Sequence, residues 1–216
     1  CLVGSEMCIR DRGGRYMHQA AENAPLPKHA FGLNNPETVE LSRAFKAKRG
    51  ISAGDGKFIV KLNEGKSFRI GYEFEKMKHN PNDPMVKKAY DQFIKETIEQ
   101  MHHVLAAGYK PELFFGGENP YANSQEVIAS LRNNKSLKVF STDAGFGTDK
   151  ETGRPVEITD KMIQDNPLLA MSEFKDVNGK PMRVNDVFRF VHDFFGHSER
   201  GNSFGPLGEE NAWDVH

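Results

Sequence analysis

Histidine and carboxylate side chains are concentrated near the end of the sequence. His192 and His197 lie five positions apart, and Glu209 and His216 follow shortly after them. Imidazole nitrogens and carboxylate oxygens are common ligands of divalent transition metals, and two histidines with one acid leave coordination positions open for water or substrate. The sequence therefore predicts a site for Fe(II) or Zn(II) formed by His192, His197 and Glu209. We expect His216 to be a fourth ligand or a partner of a ligand.

The spacing of the two histidines sets a condition on the backbone. Residues five apart point about 140° from each other on an ideal α-helix, unlike the offset of four in His-Glu-x-x-His zinc proteases. The pair converges only if the helix tightens or ends, and Gly196 lies where this could happen. On the next helix, Glu209, Trp213 and His216 share one face. Glu210 points elsewhere, which makes Glu209 the better ligand candidate.

Two aspartates are candidates for roles in catalysis. Asp193 lies beside the first histidine and could orient it or act as a base. Asp143 belongs to the segment 141–147, which follows a predicted strand as a ligand-facing loop would; a structural turn is the alternative. Bound iron would suit oxygen chemistry, whereas zinc would suit activation of water for hydrolysis. A different interpretation is a non-catalytic accessory domain, in which the His/Glu/Trp cluster is a buried polar network.

The histidine segment resembles a known iron-binding motif. His192-Asp-Phe-Phe-Gly-His197 is similar to the His-x-x-x-Gly-His segment of pterin-dependent aromatic amino-acid hydroxylases. In that family both histidines ligate iron and a more distant glutamate completes a facial triad. The match covers six residues. In this sequence the acid, Glu209, follows His197 by only twelve positions. Because the sequence has no evident pterin-pocket pattern, the resemblance implies iron ligation but neither the substrate nor the pterin cofactor.

A second resemblance covers more than half of the chain. From about Ala89 to His216 the sequence resembles an uncharacterised domain of tailed-phage proteins. The matching stretches are Ala89–Thr97, Val139–Gly147, Asn166–Leu169, Asn185–His197 and Gly208–Trp213, with His216. This resemblance implies a phage context, with other phage proteins as partners and a location in the host cytoplasm or the virion. It implies no established reaction, and it implies that the domain continues past His216.

Composition excludes several classes of function. The chain has 216 residues, and its 29 basic and 30 acidic side chains give a net charge of -1 without a long run of one sign. This balance argues against a nucleic-acid or anionic-membrane surface, so the expected partner is a small-molecule or peptide substrate. No apolar run approaches the length of a membrane span, and no signal-peptide core is visible. The 16 phenylalanines predict an aromatic-rich core.

The ends of the sequence differ from its body. Both cysteines fall within residues 1–12, so the body has neither a disulfide framework nor a cysteine zinc site. Residues 1–12 resemble translated sequencing-adapter DNA, and we expect this artefactual segment to lie outside the fold. Residues 13–35, rich in glycine and proline, predict a loose arm. Residues 36–216 are expected to form one domain, truncated at its end because the sequence stops inside a predicted helix.

Hydrophobic periodicity predicts the elements that position these residues. The fold class expected is α+β: a helix-rich single domain with a small, mainly antiparallel sheet. A hairpin is predicted from strands at 58–62 and 67–74, because apolar residues alternate along the second strand. Ser124 is expected to cap the helix 125–132, and Asn185 or Asp186 the helix ending at Phe195. The remaining predicted elements are helices at 36–50, 85–107 and 159–165, strands at 113–115 and 137–140, and a last helix from Glu209.

Overall fold

A computed structural model describes residues 35–51, 59–116, 120–145 and 156–216. The expected artefactual segment, residues 13–34 of the expected arm and the first residue of the strand predicted at 58–62 lie outside these ranges. Along the chain the elements are α1 (Pro36–Lys48), α2 (Glu64–Lys76), α3 (Pro84–Ala106), β1 (Lys110–Phe114), α4 (Ser124–Asn134), β2 (Ser136–Phe140), α5 (Thr142–Gly145), α6 (Asp160–Asp165), a 3-10 turn (Pro167–Leu169), β3 (Met171–Lys175), β4 (Pro181–Arg183), α7 (Val184–His192), a π-helical turn (Asp193–His197) and α8 (Pro206–Val215). The helix-rich α+β class is thereby confirmed.

The long helix α3 is the central support of the fold. Asp83 caps it, since one carboxylate oxygen accepts the backbone N–H of Met85 at 2.8 Å, which satisfies a donor that has no partner within the helix. Its buried face carries Thr97, Met101 and Val104. The helix predicted from apolar spacing over 85–107 is confirmed.

The strands form two separate pairs instead of one sheet. β1 and β2 are parallel, with Leu113 opposite Val139, and α4 is the crossover between them. β3 and β4 are antiparallel. Asn123, not Ser124, caps α4, because its side-chain oxygen accepts the backbone N–H of Gln125 at 3.0 Å. Ser124 is already the first residue of the helix.

The predicted hairpin at 58–74 is wrong in its second strand. Residues 64–76 form α2, and the Asn63 side chain caps it by accepting the backbone N–H of Lys66 at 2.9 Å. The alternating residues Phe68, Ile70 and Tyr72 are all exposed. No residue of α2 is buried, so the alternating apolar residues do not pack on a core. Without a buried face, the alternation does not favour a strand over a helix. Residues 59–62 are not a strand either.

β3 and β4 form a short hairpin that is not among the elements predicted from the sequence. Asp176 closes it: one carboxylate oxygen accepts the backbone N–H groups of Asn178 and Lys180, at 2.8 and 2.9 Å. Gly179 takes the left-handed conformation, with φ +77°, which glycine adopts at little steric cost. The adjoining helix predicted near 159–165 is confirmed as α6.

The core holds α7 and the π-helical turn in place. The side chains of Phe190 and Phe194 are completely buried, together with Met101 and Val104 of α3 and Leu137 of β2. These residues belong to one hydrophobic cluster, so the predicted aromatic contribution to the core is present. Within the described ranges, no helix has both the length and the apolar character needed to cross a bilayer.

The boundaries of α7 and α8 differ from the predicted ones. α7 begins at Val184, and Asp186 lies inside its first turn, where a carboxylate oxygen accepts the backbone N–H of Arg183 at 2.8 Å. Neither Asn185 nor Asp186 is therefore the residue before the helix. α8 begins at Pro206, a residue pre-organised for the first helical position. Glu209 consequently follows three residues of helix.

Candidate metal centre

The backbone widens where the two histidines lie. The N–H of Ser198 donates to the carbonyl of Asp193 at 3.1 Å, and the N–H of Asn202 donates to the carbonyl of His197 at 3.0 Å. These five-residue spacings are the hydrogen-bond pattern of a π-helix, in which residues five apart lie in successive turns. The rings of His192 and His197 consequently lie 5.0 Å apart between centroids. The sequence predicted a tightened or ended helix, but convergence comes from a wider turn.

Two glycines allow α8 to approach this turn. A Cβ atom on Gly196 would lie 3.1 Å from Cβ and 3.3 Å from the carbonyl oxygen of Ala212 in α8. A Cβ atom on Gly208 would overlap the carbonyl group of Ser203. Side chains at either position would therefore push α8, or the loop before it, away. The close approach brings Glu209 to the histidines.

Both oxygens of Glu209 face the histidine pair. Oε2 lies 3.4 Å from His192 Nε2, and Oε1 lies 3.5 Å from His197 Nε2. Asp193 contributes a second carboxylate, with Oδ1 at 4.0 Å from His197 Nε2. One ligand atom from each of His192, Asp193 and His197 can be chosen so that all lie within 4.8 Å of one another. This group could hold a metal ion.

A loop residue fixes the orientation of His197. Its Nδ1–H donates to the backbone carbonyl of Asn202 at 2.9 Å, which leaves Nε2 directed at Glu209. Metal-binding histidines commonly have such a partner on the second ring nitrogen. The Asn202 side chain in turn donates to the carbonyl of Gly196 at 2.8 Å. Asn202 is not among the residues predicted from the sequence. The only indication of its role there is its position after Gly201, at the end of the histidine helix.

The charges of His197 and Glu209 stabilise each other. Burial disfavours the charged form of His197, but the hydrogen bond and negative charge of Glu209, together with Asp193, raise its pKa to about 9. Partial burial also opposes the charge on Glu209, yet its contacts with the two histidines lower its pKa to about 2. Burial raises the pKa of Asp193. Near neutral pH, His197 and Glu209 therefore form an ion pair.

Comparison with known proteins gives no information about this cluster. No protein-family model, curated protein or solved structure matches the chain. The chemistry of the cluster is therefore indicated by its own side chains and the distances between them.

His216 lies beside the cluster, against His192. Their ring centroids are 5.6 Å apart, and the ring of His216 also packs on Phe188 and Phe195, each at 6.0 Å. Its Nε2–H donates to the side-chain oxygen of Gln100 at 3.1 Å. Burial, and then the positive charge of His192, lower the pKa of His216 to about 3. His216 is therefore neutral, and its ring contact is with a candidate ligand.

The structure does not bring Asp143 to the cluster. Its carboxylate accepts a hydrogen bond from Arg183 Nε at 2.7 Å. Arg183 immediately precedes α7, whereas His192 is the last residue of this helix. Nine residues of α-helix span about 13 Å, so Asp143 lies at the opposite end of α7 from the histidines.

Two residues of α8 point away from the cluster. Trp213 is 62% exposed, and Lys66 Nζ lies 5.9 Å from the centre of its ring. Trp213 therefore contributes no contact to the histidine pair. Glu210 pairs with Lys66 at 3.4 Å, away from the histidines.

Proposed function

We propose that this chain is a metal-dependent enzyme whose centre binds one Fe(II) or Zn(II) ion through His192, His197 and Glu209. The observation that carries this proposal is the spacing of the ligand atoms. Two ligands that are each about 2.1 Å from a tetrahedral metal ion lie about 3.4 Å from each other. Oε2 of Glu209 is 3.4 Å from the nitrogen of His192 and Oε1 is 3.5 Å from that of His197, so Glu209 would add its carboxylate to the group of His192, Asp193 and His197 that could hold a metal ion.

Asp193 adds a second carboxylate to the same centre. Its oxygen is 4.0 Å from His197 Nε2, and the side chain is 26% exposed. At that position it can complete the ligand set or accept a proton from a water molecule at the centre. Burial, the largest influence on Asp193, raises its pKa.

The identity of the metal would decide the reaction. Two histidines and one carboxylate are the facial ligand set of non-haem Fe(II) oxygenases, and they are also the ligand set of several zinc hydrolases. Zinc would supply an activated water for hydrolysis, and iron would supply oxygen chemistry. The Glu209 side chain is 39% exposed, which favours a centre that a small-molecule or peptide substrate can reach. The phage context suggested by the sequence stays a prediction.

A second candidate function is structural, as part of an accessory phage protein domain. The ion pair between His197 and Glu209 already joins the π-helical turn to α8 without a metal ion. The raised pKa of His197 and the lowered pKa of Glu209 show that each group stabilises the charge of the other. The two candidates differ in one measurable respect: a structural network takes up no metal ion.

Metal content tests the proposal. The protein is purified without chelator, and iron and zinc are counted by mass spectrometry in the parent and in His192→Gln, His197→Gln and Glu209→Gln. We expect about one ion per chain in the parent and a loss in all three variants, with folding checked by circular dichroism. His102→Gln and Glu210→Gln are matched controls, because these side chains contact Glu173 and Lys66 instead. Both controls should keep the ion.

The opposite result supports the structural candidate. A folded parent that is purified without metal and does not take up added Fe(II) or Zn(II) would contradict a metal centre in this chain. Retention of the ion by all three ligand variants would place the metal elsewhere.

A further inference from the structure

A cleft adjoins the metal centre on the side of His216. It has a volume of about 120 Å³ and lies between α1, α3 and α8, with the π-helical turn at its inner end. Its walls include two cations, two aromatic rings and two neutral polar side chains, namely Lys46, Arg49, Phe45, Phe195, Gln100 and His216. This composition indicates a site for a molecule with one charged end and an apolar remainder.

Lys46 is the inner cation of the cleft. Its Nζ lies 3.5 Å from Glu199 Oε2, which is longer than the 2.7–2.9 Å typical of a charge-assisted hydrogen bond. The same oxygen already accepts the Ser42 hydroxyl at 2.6 Å. An ammonium group has three donors, so Lys46 retains donors for a ligand in the cleft.

Arg49 is the outer cation, three residues further along α1. It forms an ion pair with Glu99, but a guanidinium has five donors and one carboxylate engages at most two of them. The single acidic residue on the wall, Glu96, is exposed and accepts a hydrogen bond from Gln92 at 2.6 Å. Each cation therefore has one carboxylate partner and keeps further N–H donors, which a ligand with a negatively charged end can use.

The apolar wall leads from these cations to the metal centre. The rings of Phe45 and Phe195 are 6.1 Å apart. Beyond them lies the ring of His216, which packs on His192 with centroids 5.6 Å apart. An apolar stem lying on the two phenylalanines would therefore extend towards the candidate ligands.

We infer that the cleft binds a small organic carboxylate, with its acid group between Lys46 and Arg49 and its apolar stem directed along Phe195 and His216. Binding of a carboxylate in the cleft does not depend on the metal centre. Only its extension, that the bound carboxylate is the substrate, rests on the proposed metal centre.

Binding is tested on the metal-free 216-residue chain with hexanoate as the probe and hexanamide as its uncharged counterpart. Nitrogen-15 NMR spectra are recorded during titration with each compound. We expect hexanoate to bind with a Kd on the order of millimolar, as befits so few atoms, and to shift the backbone signals of α1 and the π-helical turn. Hexanamide should bind at least fivefold more weakly.

Variants of α1 test whether Lys46 and Arg49 bind the carboxylate group. Lys46→Gln and Arg49→Gln should each weaken hexanoate binding at least fivefold and leave hexanamide binding unchanged. Lys48→Gln is the matched control, because it removes the same charge from an exposed position of α1 that does not line the cleft. Arg49 is exposed, so its variant gives an answer even if Lys46→Gln disturbs the contact with Glu199.

The possible outcomes separate this inference from the proposed function. Equal binding of hexanoate and hexanamide, or binding that neither charge variant weakens, would overturn the carboxylate site. Charge-dependent binding to a protein that takes up no metal would uphold the cleft while the enzyme proposal fails. A full complement of metal without charge-dependent binding would uphold the metal centre and overturn the cleft.

Discussion

Replacement of Gly196 by alanine tests how the π-helical turn and α8 form the centre. The added Cβ atom would lie 3.1 Å from Cβ of Ala212, whereas two non-bonded carbons prefer a separation of about 3.5–4.0 Å. α8 must therefore retreat by about 0.5 Å at this point. If Glu209 moves with the helix, its distances to the histidines increase from 3.4 and 3.5 Å to about 4 Å, which is longer than the separation of about 3.4 Å expected for two ligands of a tetrahedral ion.

Two opposing effects set the stability of Gly196→Ala. Overpacking of this kind costs roughly 1–3 kcal/mol, while replacing glycine by alanine inside a helix stabilises by about 0.5–1 kcal/mol. We therefore expect the free energy of unfolding to fall by about 0–2.5 kcal/mol, so the variant remains measurable. The affinity for metal should fall more clearly, by about 10–100-fold, the usual effect of disturbing the surroundings of a metal ligand.

Competition with a chromophoric chelator measures the affinity for zinc, and urea unfolding of the metal-free protein measures stability. Gly71→Ala is the matched control, since a Cβ atom there meets nothing within 4 Å in the exposed helix α2. It should stabilise the protein and leave the zinc affinity unchanged. If Gly196→Ala instead behaves like Gly71→Ala in both assays, the close approach of α8 does not position Glu209.

Three further predictions concern protons and packing. Zinc binding at pH 8 should release about one proton, because His197, with a pKa of about 9, must lose its proton to bind metal; affinity therefore rises as the pH rises towards 9, and calorimetry in two buffers counts the proton. Burial and the Glu37 carboxylate raise the pKa of Tyr109 to about 12. The resulting stabilisation is present below pH 10 and lost as the pH rises through 12, and Glu37→Gln should lower the midpoint of the ultraviolet titration. Leu131→Ala, which empties a fully buried position, should lower the free energy of unfolding by about 2–5 kcal/mol in urea.

Elements with a buried face could be predicted from the sequence. α3 has apolar residues at helical spacing because Met101 and Val104 must reach the core. The strands β1 and β2 were predicted from short apolar runs, since Leu113, Leu137 and Val139 are buried. Where a face is buried, the pattern of side chains reports the backbone period.

Elements without a buried face could not be predicted in this way. In α2 the alternation of Phe68, Ile70 and Tyr72 suggested a strand, but these side chains are exposed, so packing does not select their period. The hairpin β3–β4 was missed although its turn contains Asn178-Gly179, a common turn signal. For this hairpin the turn residues were a better predictor than the spacing of apolar residues.

The histidine pair of the candidate centre could be predicted from the sequence, but its geometry could not. The structure brings His192 and His197 together with Asp193 in a group that could hold a metal ion, and the oxygens of Glu209 lie 3.4 Å from His192 and 3.5 Å from His197. The π-helical turn that makes this possible packs closely on α8, where a Cβ atom on Gly196 would lie 3.1 Å from Cβ of Ala212. No local pattern of apolar residues distinguishes such a turn from an ordinary helix end.

X-ray absorption spectroscopy of the zinc-loaded protein tests the central claim most directly. We predict a first shell of nitrogen and oxygen at about 2.0–2.2 Å, with the outer-shell scattering of two histidine rings. In His197→Gln that histidine scattering should fall by half, while His102→Gln should leave the spectrum unchanged. A first shell without histidine scattering, or a spectrum that His197→Gln does not alter, would contradict a metal centre formed by the π-helical turn and α8.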